Sequence, residues 1–101
     1  MGYLKVVKDI REERNRQDEK WGEQNHEDGT GGDEARKLSN QIRDWCDFSH
    51  LQGVGTWVSI LAEELMEAYA ETDPDRLRKE LVEVAAVAVA WIECIDRRGH
   101  P

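Results

Sequence analysis

The apolar residues of this chain recur three and four positions apart, a spacing that is typical of amphipathic helices rather than of strands. In the first segment they cluster between positions 4 and 10 and are nearly absent from there to Trp21. We predict a helix over residues 4–21 that packs through its first half. The residues that follow, WGEQNHEDGTGG, are rich in Gly, Asn and Asp and predict a loop that is long enough to be functional.

Two further helices are predicted in the middle of the chain. Asp33 can cap a helix that extends to about Phe48, with Ala35, Leu38, Ile42 and Trp45 on one apolar face. Gly53 to Gly55 interrupts this pattern, and Thr56 is a good N-cap for a third helix from position 57 to about 71. The inner side of that helix is predicted to be formed by Trp57, Ile60, Leu61, Leu65 and Ala68.

The boundary before the last helix is the clearest in the chain. Asp73 followed by Pro74 suits a first helical turn, whose N–H groups have no helical partner. We predict a helix from there to Arg98 that is ended by Gly99. Its segment 84–92 is apolar around the whole circumference and must be covered on several sides. Four short helices can hardly do this alone, so we predict an all-α antiparallel helix bundle that is completed by oligomerisation. The alternative is a tightly wrapped monomer.

Composition limits the classes of function. A chain of 101 residues is predicted to form one domain over 1–101. Its formal net charge of −8 argues against a nucleic-acid or anionic membrane partner. No signal segment is recognised, and the apolar run at 84–92 is too short to span a bilayer. Cys46 and Cys94 form no CxxC pair, which predicts reduced thiols in a soluble, cytoplasmic protein.

Five glutamates form the candidate functional site. Residues three or four apart share a helix face, so Glu64 and Glu67 project together with Glu63 alongside, and Glu80 and Glu83 project together. Both groups lie on apolar stripes. Two antiparallel helices joined at Asp73-Pro74 would bring the groups to the same level of the bundle. The other interpretation is that these are solvated surface glutamates, as most of the acidic residues must be.

Clustered carboxylates in a partly dry setting repel one another, and a divalent cation relieves that repulsion. Mg²⁺ prefers oxygen ligands and keeps waters that phosphate oxygens can replace, so Mg²⁺ is expected, with Mn²⁺ as a possible substitute. A di-iron bundle would instead use Glu-x-x-His on helices. The match at Glu23–His26 falls in the predicted loop. The sequence therefore favours a magnesium site.

EELMEAYAETDPDRLRKELVE, which continues into VAAVAVAWIE, resembles the EExxE…ExxD signature of the MazG-like all-α nucleoside triphosphate pyrophosphohydrolases. RNRQDEKWGEQNH is similar to the first-helix region of MazG-like proteins of actinobacteria and their phages. The resemblance covers the first helix and the C-terminal half. The last acid is Glu83, where the family usually has Asp, so this ligand could bind through water or the site could be weakened.

The resemblance implies an enzyme that cleaves nucleoside triphosphates between the α and β phosphates, releasing a monophosphate and pyrophosphate. The implied metal ligands are Glu64, Glu67, Glu80 and Glu83, and Glu63 is either a ligand of a further ion or the group that orients the water. A homodimer or a dimer of dimers is expected. The alternative is a non-catalytic oligomeric helical module that binds a nucleotide or a protein.

Recognition of the base and sugar is expected from the first helix and its loop. Trp21 can stack on a base and Gln17 and Gln24 can hydrogen-bond to its edge, while Arg14 and Lys20 can bind phosphates. The alternative is that Trp21 covers the core and that the remaining residues form a solvated helix surface.

Overall fold

The computed structural model describes residues 2–99, and within this range it contains four α-helices and no strand. The helices are α1 (Gly2–Trp21), α2 (Asp33–Leu51), α3 (Trp57–Ala70) and α4 (Pro74–Arg97). The predicted all-α class is confirmed, and the four predicted helices are present. Residues 22–32, which include Glu23 and His26, form the predicted loop. None of the described helices has both the length and the apolar character that crossing a membrane would require.

The helix starts follow local capping chemistry, with one exception. The Thr56 side chain caps α3 as predicted. The expectation that Asp33 caps α2 is wrong, because Gly32 occupies the N-cap position with φ 95° and no side-chain cap is formed. That left-handed conformation suits glycine better than aspartate. Asp33 is instead the first helical residue, where its carboxylate accepts a hydrogen bond from the Arg36 guanidinium and complements the helix dipole.

The chain divides into two compact units. The first unit contains residues 2–28 and 89–99, and the second is Gly29–Ala88. In the first unit Val6 is fully buried, which agrees with packing through the first half of α1. Tyr3, Leu4 and Ile10 nevertheless stay exposed. Both cysteines of the chain are free, as predicted.

In the second unit α2 packs on α3 through small side chains. The buried residues of α2 are Ala35, Ser39, Cys46 and Ser49, and α3 contributes Ser59 and Ala68. The Cys46 thiol donates a hydrogen bond of 3.0 Å to the Ser59 carbonyl oxygen. Small residues let two helix backbones approach closely, so the tightest packing excludes bulky side chains.

The predicted inner faces of α2 and α3 therefore require correction. Ala35 and Ala68 are buried as expected, but Leu38, Trp45 and Leu65 are 42%, 48% and 47% exposed. The other residues predicted to be inside are half-buried: Ile42, Trp57, Ile60 and Leu61. The buried face of α2 lies beside the predicted one because serine and cysteine, rather than leucine and tryptophan, occupy the close approach. No residue of the 84–92 segment is fully buried within the single chain.

Candidate metal centre

Two capping arrangements fix where the acidic residues lie on α3 and α4. At the start of α3, the Thr56 hydroxyl accepts a hydrogen bond from the Ser59 N–H at 3.3 Å, and the Ser59 hydroxyl accepts one from the Thr56 N–H at 3.0 Å. Asp73 precedes α4, and its carboxylate accepts a hydrogen bond of 3.0 Å from the Arg76 N–H. Between the helices, the Glu71 carboxylate accepts hydrogen bonds from the next two backbone N–H groups, each at 3.1 Å. The connection is therefore short and well bonded.

Buried neighbours set the rotation of each helix around its axis. Ala68 is buried four residues after Glu64, and Leu77 is buried three residues before Glu80. Because residues three apart share a helix face, burial of Leu77 directs Glu80 toward the interior of the second unit. Packing of these two apolar residues thus holds the carboxylates in place.

The structure brings together Glu64 and Glu67 of α3 with Glu80 and Glu83 of α4, and we call this group the four-glutamate site. Each residue offers one carboxylate oxygen, and these oxygens all lie within 4.8 Å of one another. All four residues are half-buried. One oxygen of Glu64 and one of Glu80 are buried without a hydrogen-bond partner among the described residues. Such unpartnered buried oxygens are uncommon in folded proteins and require an explanation.

Burial and mutual repulsion shift the ionisation of the four-glutamate site. Burial, followed by the charges of Glu83 and Glu80, raises the pKa of Glu64. Burial also raises the pKa of Glu80, with further contributions from a hydrogen bond to Glu83, the charge of Glu83, and Glu67. Burial and the Glu64 charge raise the pKa of Glu67, although Glu80 and the Arg43 guanidinium partly oppose this. The environment therefore disfavours full ionisation of the carboxylates.

A divalent cation fits this arrangement of donors. Four carboxylates supply hard oxygen ligands at the separations that a shared ion or ion pair requires. The unpartnered oxygens of Glu64 and Glu80 are available to coordinate it. A cation would also offset the repulsion that raises the pKa values of the site.

Glu63, the fifth glutamate of the motif, is not one of the four. Its charge nevertheless reaches the site, because it contributes, after burial and other charges, to the raised pKa values of Glu64 and Glu67. Glu63 is therefore close enough to influence the site without sharing the tight oxygen cluster. Its role as a water-orienting group or as a ligand of a further ion stays a prediction.

A groove of about 280 Å³ opens beside the four-glutamate site. It is lined by residues of three helices and of the α3–α4 connection: Ser39, Arg43, Glu67, Ala70, Glu71 and Glu80. Reasoning from sequence gave Ser39 and Arg43 no role. The available signal was the recurrence of small residues at 35, 39, 46 and 49, which places the interface on this side of α2 and Arg43 one turn after Ser39.

The residues predicted to bind substrate lie in the first unit, at the end of α1 and the start of the loop. Arg14 and Gln24 line a cavity of about 660 Å³ together with Asp18, Gly22 and Glu23. The Arg14 guanidinium donates hydrogen bonds to Gln17 at 2.9 Å and to Asp18 at 3.1 Å.

The remaining predicted substrate residues form local contacts. The Lys20 ammonium lies 4.7 Å from the ring centroid of Trp21, which is a cation–π distance. Trp21 is 58% exposed, so the interpretation that it covers the core is not supported within the described chain. Gln24 is 3.1 Å from the His26 ring nitrogen. More than half of the Trp21 surface is thus exposed, as stacking on a base would require.

Comparison of the chain with known protein families, with curated proteins and with solved structures finds no match. The similarity to MazG-like proteins therefore depends on the motif residues quoted above. The geometry of the four-glutamate site stands independently of that similarity.

Proposed function

We propose that this protein is a magnesium-dependent nucleoside triphosphate pyrophosphohydrolase whose metal ligands are Glu64, Glu67, Glu80 and Glu83. The observation that carries the proposal is the tight oxygen cluster of these residues, with buried, unpartnered oxygens on Glu64 and Glu80. Mn²⁺ is expected to substitute for Mg²⁺, since both accept carboxylate and water ligands.

A bound divalent ion supplies charge neutralisation for phosphate oxygens and activation of a water molecule at neutral pH. The protein contributes by positioning the carboxylates that would bind this ion. The carboxylates of α3 and α4, two helices whose starts are capped, would hold this ion. Glu63, whose charge reaches Glu64 and Glu67, is assigned either to orienting the attacking water or to holding a further ion.

The resemblance to MazG-like proteins supports cleavage between the α and β phosphates. The main departure from the family pattern is Glu83 in place of Asp. A carboxylate oxygen of Glu83 nevertheless reaches the other three ligands within 4.8 Å. The additional methylene therefore does not remove this residue from the four-glutamate site, and a direct or water-mediated role as a ligand is compatible with its position.

Oligomerisation is part of the proposal because the single chain leaves large apolar side chains uncovered. Trp45, Phe48 and Leu51 of α2 are 48%, 63% and 84% exposed. The apolar 84–92 segment of α4 is nowhere fully buried. An antiparallel bundle completed by a second copy, as a homodimer or a dimer of dimers, would cover such surfaces.

The proposal is tested by a screen of common and damaged nucleoside triphosphates with Mg²⁺, scored for pyrophosphate release. The parent protein is expected to release pyrophosphate from at least one of them and to stop when EDTA is added. Glu64→Gln and Glu80→Gln should abolish release with unchanged helical content. Exposed Glu19→Gln is the matched control and should behave as the parent does. Release by both site variants at the parent rate would refute the assignment, and the absence of release from every nucleotide would favour the non-catalytic module.

A further inference from the structure

The groove beside the four-glutamate site contains a guanidinium that the metal-ligand pattern does not explain. Arg43 of α2 lines this groove together with Glu67 and Glu80, two of the proposed metal ligands. The Arg43 charge is close enough to lower the pKa of Glu67 against the larger effects of burial and Glu64, which raise it. Arg43 is therefore near the metal ligands without being one.

The described residues of the chain leave the hydrogen-bond donors of Arg43 unused. Within residues 2–99, Arg43 makes no side-chain hydrogen bond and no ion pair within 4.0 Å, whereas Arg36 on the same helix binds Asp33. Arg43 is also exposed. A guanidinium presents five N–H donors in a planar fork that matches the oxygens of a phosphate group. Arg43 can therefore bind an anion in the groove without breaking an existing contact.

The lining of the groove indicates which part of a nucleotide it can accept. The residues that line the groove are one serine, one alanine, one arginine and three glutamates. None of these described residues has an aromatic or a large apolar side chain. A nucleobase would find no aromatic side chain there on which to stack. A phosphate group in the groove would have the Arg43 guanidinium available as a donor, beside the proposed metal ligands Glu67 and Glu80.

We propose that Arg43 binds the pyrophosphate half of the triphosphate in the groove beside Glu67 and Glu80. This inference rests on the proposed function and assigns one end of the substrate to one wall of the site. Metal ions on the four-glutamate site neutralise the carboxylates, and Arg43 then supplies the positive charge on the α2 side. The nucleoside half lies away from this groove.

The test is calorimetric binding of inorganic pyrophosphate in the presence of Mg²⁺, with Mg²⁺ alone titrated in parallel. The proteins are the parent, Arg43→Gln, Arg43→Lys and the matched control Arg36→Gln. Loss of a charge-assisted phosphate contact is expected to weaken pyrophosphate binding about ten- to a hundredfold in Arg43→Gln. Arg43→Lys should recover part of the loss, because lysine keeps the charge without the fork. Arg36→Gln should match the parent.

Two further readouts separate phosphate binding from a purely structural role. If Arg43 only balanced the Glu67 charge, Arg43→Gln would strengthen Mg²⁺ binding and leave pyrophosphate affinity unchanged, and this result would overturn the inference. With an active substrate, Arg43→Gln should raise KM and weaken product inhibition by pyrophosphate, but not by the nucleoside monophosphate. If Arg43→Gln instead weakened inhibition by the nucleoside monophosphate alone, the groove would bind the nucleoside half of the substrate. That result would also overturn the inference.

The inference and the proposed function can fail separately. Turnover by the parent together with unchanged pyrophosphate binding in Arg43→Gln would refute the inference and leave the function. Arg43-dependent pyrophosphate binding without turnover of any nucleotide would refute the function and leave the groove as a phosphate site. If Arg43→Gln does not fold, Arg43→Lys provides the comparison. A pyrophosphate affinity and a KM equal to those of the parent in Arg43→Lys would show that the planar guanidinium does not bind the phosphate groups.

Discussion

Replacing Glu80 with glutamine should stabilise the metal-free protein, although it removes a functional residue. Glutamine has nearly the same shape as glutamate and keeps hydrogen-bonding atoms near Glu67 and Glu83. It removes one charge from a group whose oxygens lie within 4.8 Å of one another. The free energy of unfolding in EDTA should therefore rise rather than fall.

The size of the effect follows from the oxygen separation. Two unit charges 4.8 Å apart repel by about 3.5 kcal/mol at an effective dielectric of about 20, and by about 0.9 kcal/mol in water. Because the residues are half-buried and not all ionised together, the relief of one pair should lie between these limits, at about 1–3 kcal/mol. For a domain of this size, each kcal/mol raises Tm by about 4–8 °C.

The gain should depend on pH in a defined direction. The pKa of Glu80 is raised above its ordinary value of 4.5, so the folded state holds this proton more tightly than the unfolded state does. The parent therefore loses stability as the pH rises from 4.5 through the raised pKa. Below pH 4.5 the proton is bound in both states, so the stability advantage of Glu80→Gln should vanish there.

The measurement is thermal unfolding followed by circular dichroism, in EDTA and in Mg²⁺, for the parent, Glu80→Gln and the exposed control Glu19→Gln. In EDTA at pH 7 the Tm of Glu80→Gln should exceed that of the parent by several degrees, and Glu19→Gln should match the parent. Mg²⁺ should raise the Tm of the parent more than that of Glu80→Gln. A lower Tm for Glu80→Gln in EDTA would refute the repulsion that underlies the metal site.

Three other predictions follow from the same structure. Glu64→Gln should lower pyrophosphate release by at least a hundredfold while the circular dichroism spectrum stays unchanged, and release at the parent rate would contradict its role as a ligand. Glu83→Gln should need a higher Mg²⁺ concentration for half-maximal activity than the parent does. Superimposable Mg²⁺ titrations for the parent, Glu83→Asp and Glu83→Gln would show that Glu83 is not a metal ligand. Sedimentation at micromolar concentration should give at least a dimer, since Trp45 and Phe48 are 48% and 63% exposed in one chain, and a stable monomer of 11.7 kDa would contradict this.

The helices and the acidic cluster could be predicted because their signals are local. Thr56 and the Asp73-Pro74 pair specify helix starts through contacts within one turn. Once α3 and α4 are joined by a short connection, the spacing of the glutamates determines which of them meet. The four-glutamate site therefore follows from helix periodicity and one tight boundary.

The packing face of α2 could not be predicted because it depends on backbone proximity rather than on hydrophobicity. From their hydrophobicity, leucine and tryptophan are expected in the core. In the structure Ser39 and Cys46 are the buried residues on the side of α2 that packs against α3, and Leu38 and Trp45 are exposed. The role of Arg43 could not be predicted for the same reason. Arg43 lines the groove only because this side of α2 faces α3. Asp33 was misplaced by a single residue, because the conformation of Gly32 determines where α2 begins.

Direct binding of Mn²⁺, followed by the loss of the free-ion electron paramagnetic resonance signal, tests the metal centre without knowledge of the nucleotide. The parent is expected to bind Mn²⁺ in competition with Mg²⁺, and Glu64→Gln and Glu80→Gln should each weaken binding at least tenfold, with Glu19→Gln unchanged. Equal binding by the parent and both site variants, or no binding by the parent, would contradict the assignment of Glu64, Glu67, Glu80 and Glu83 as a metal centre.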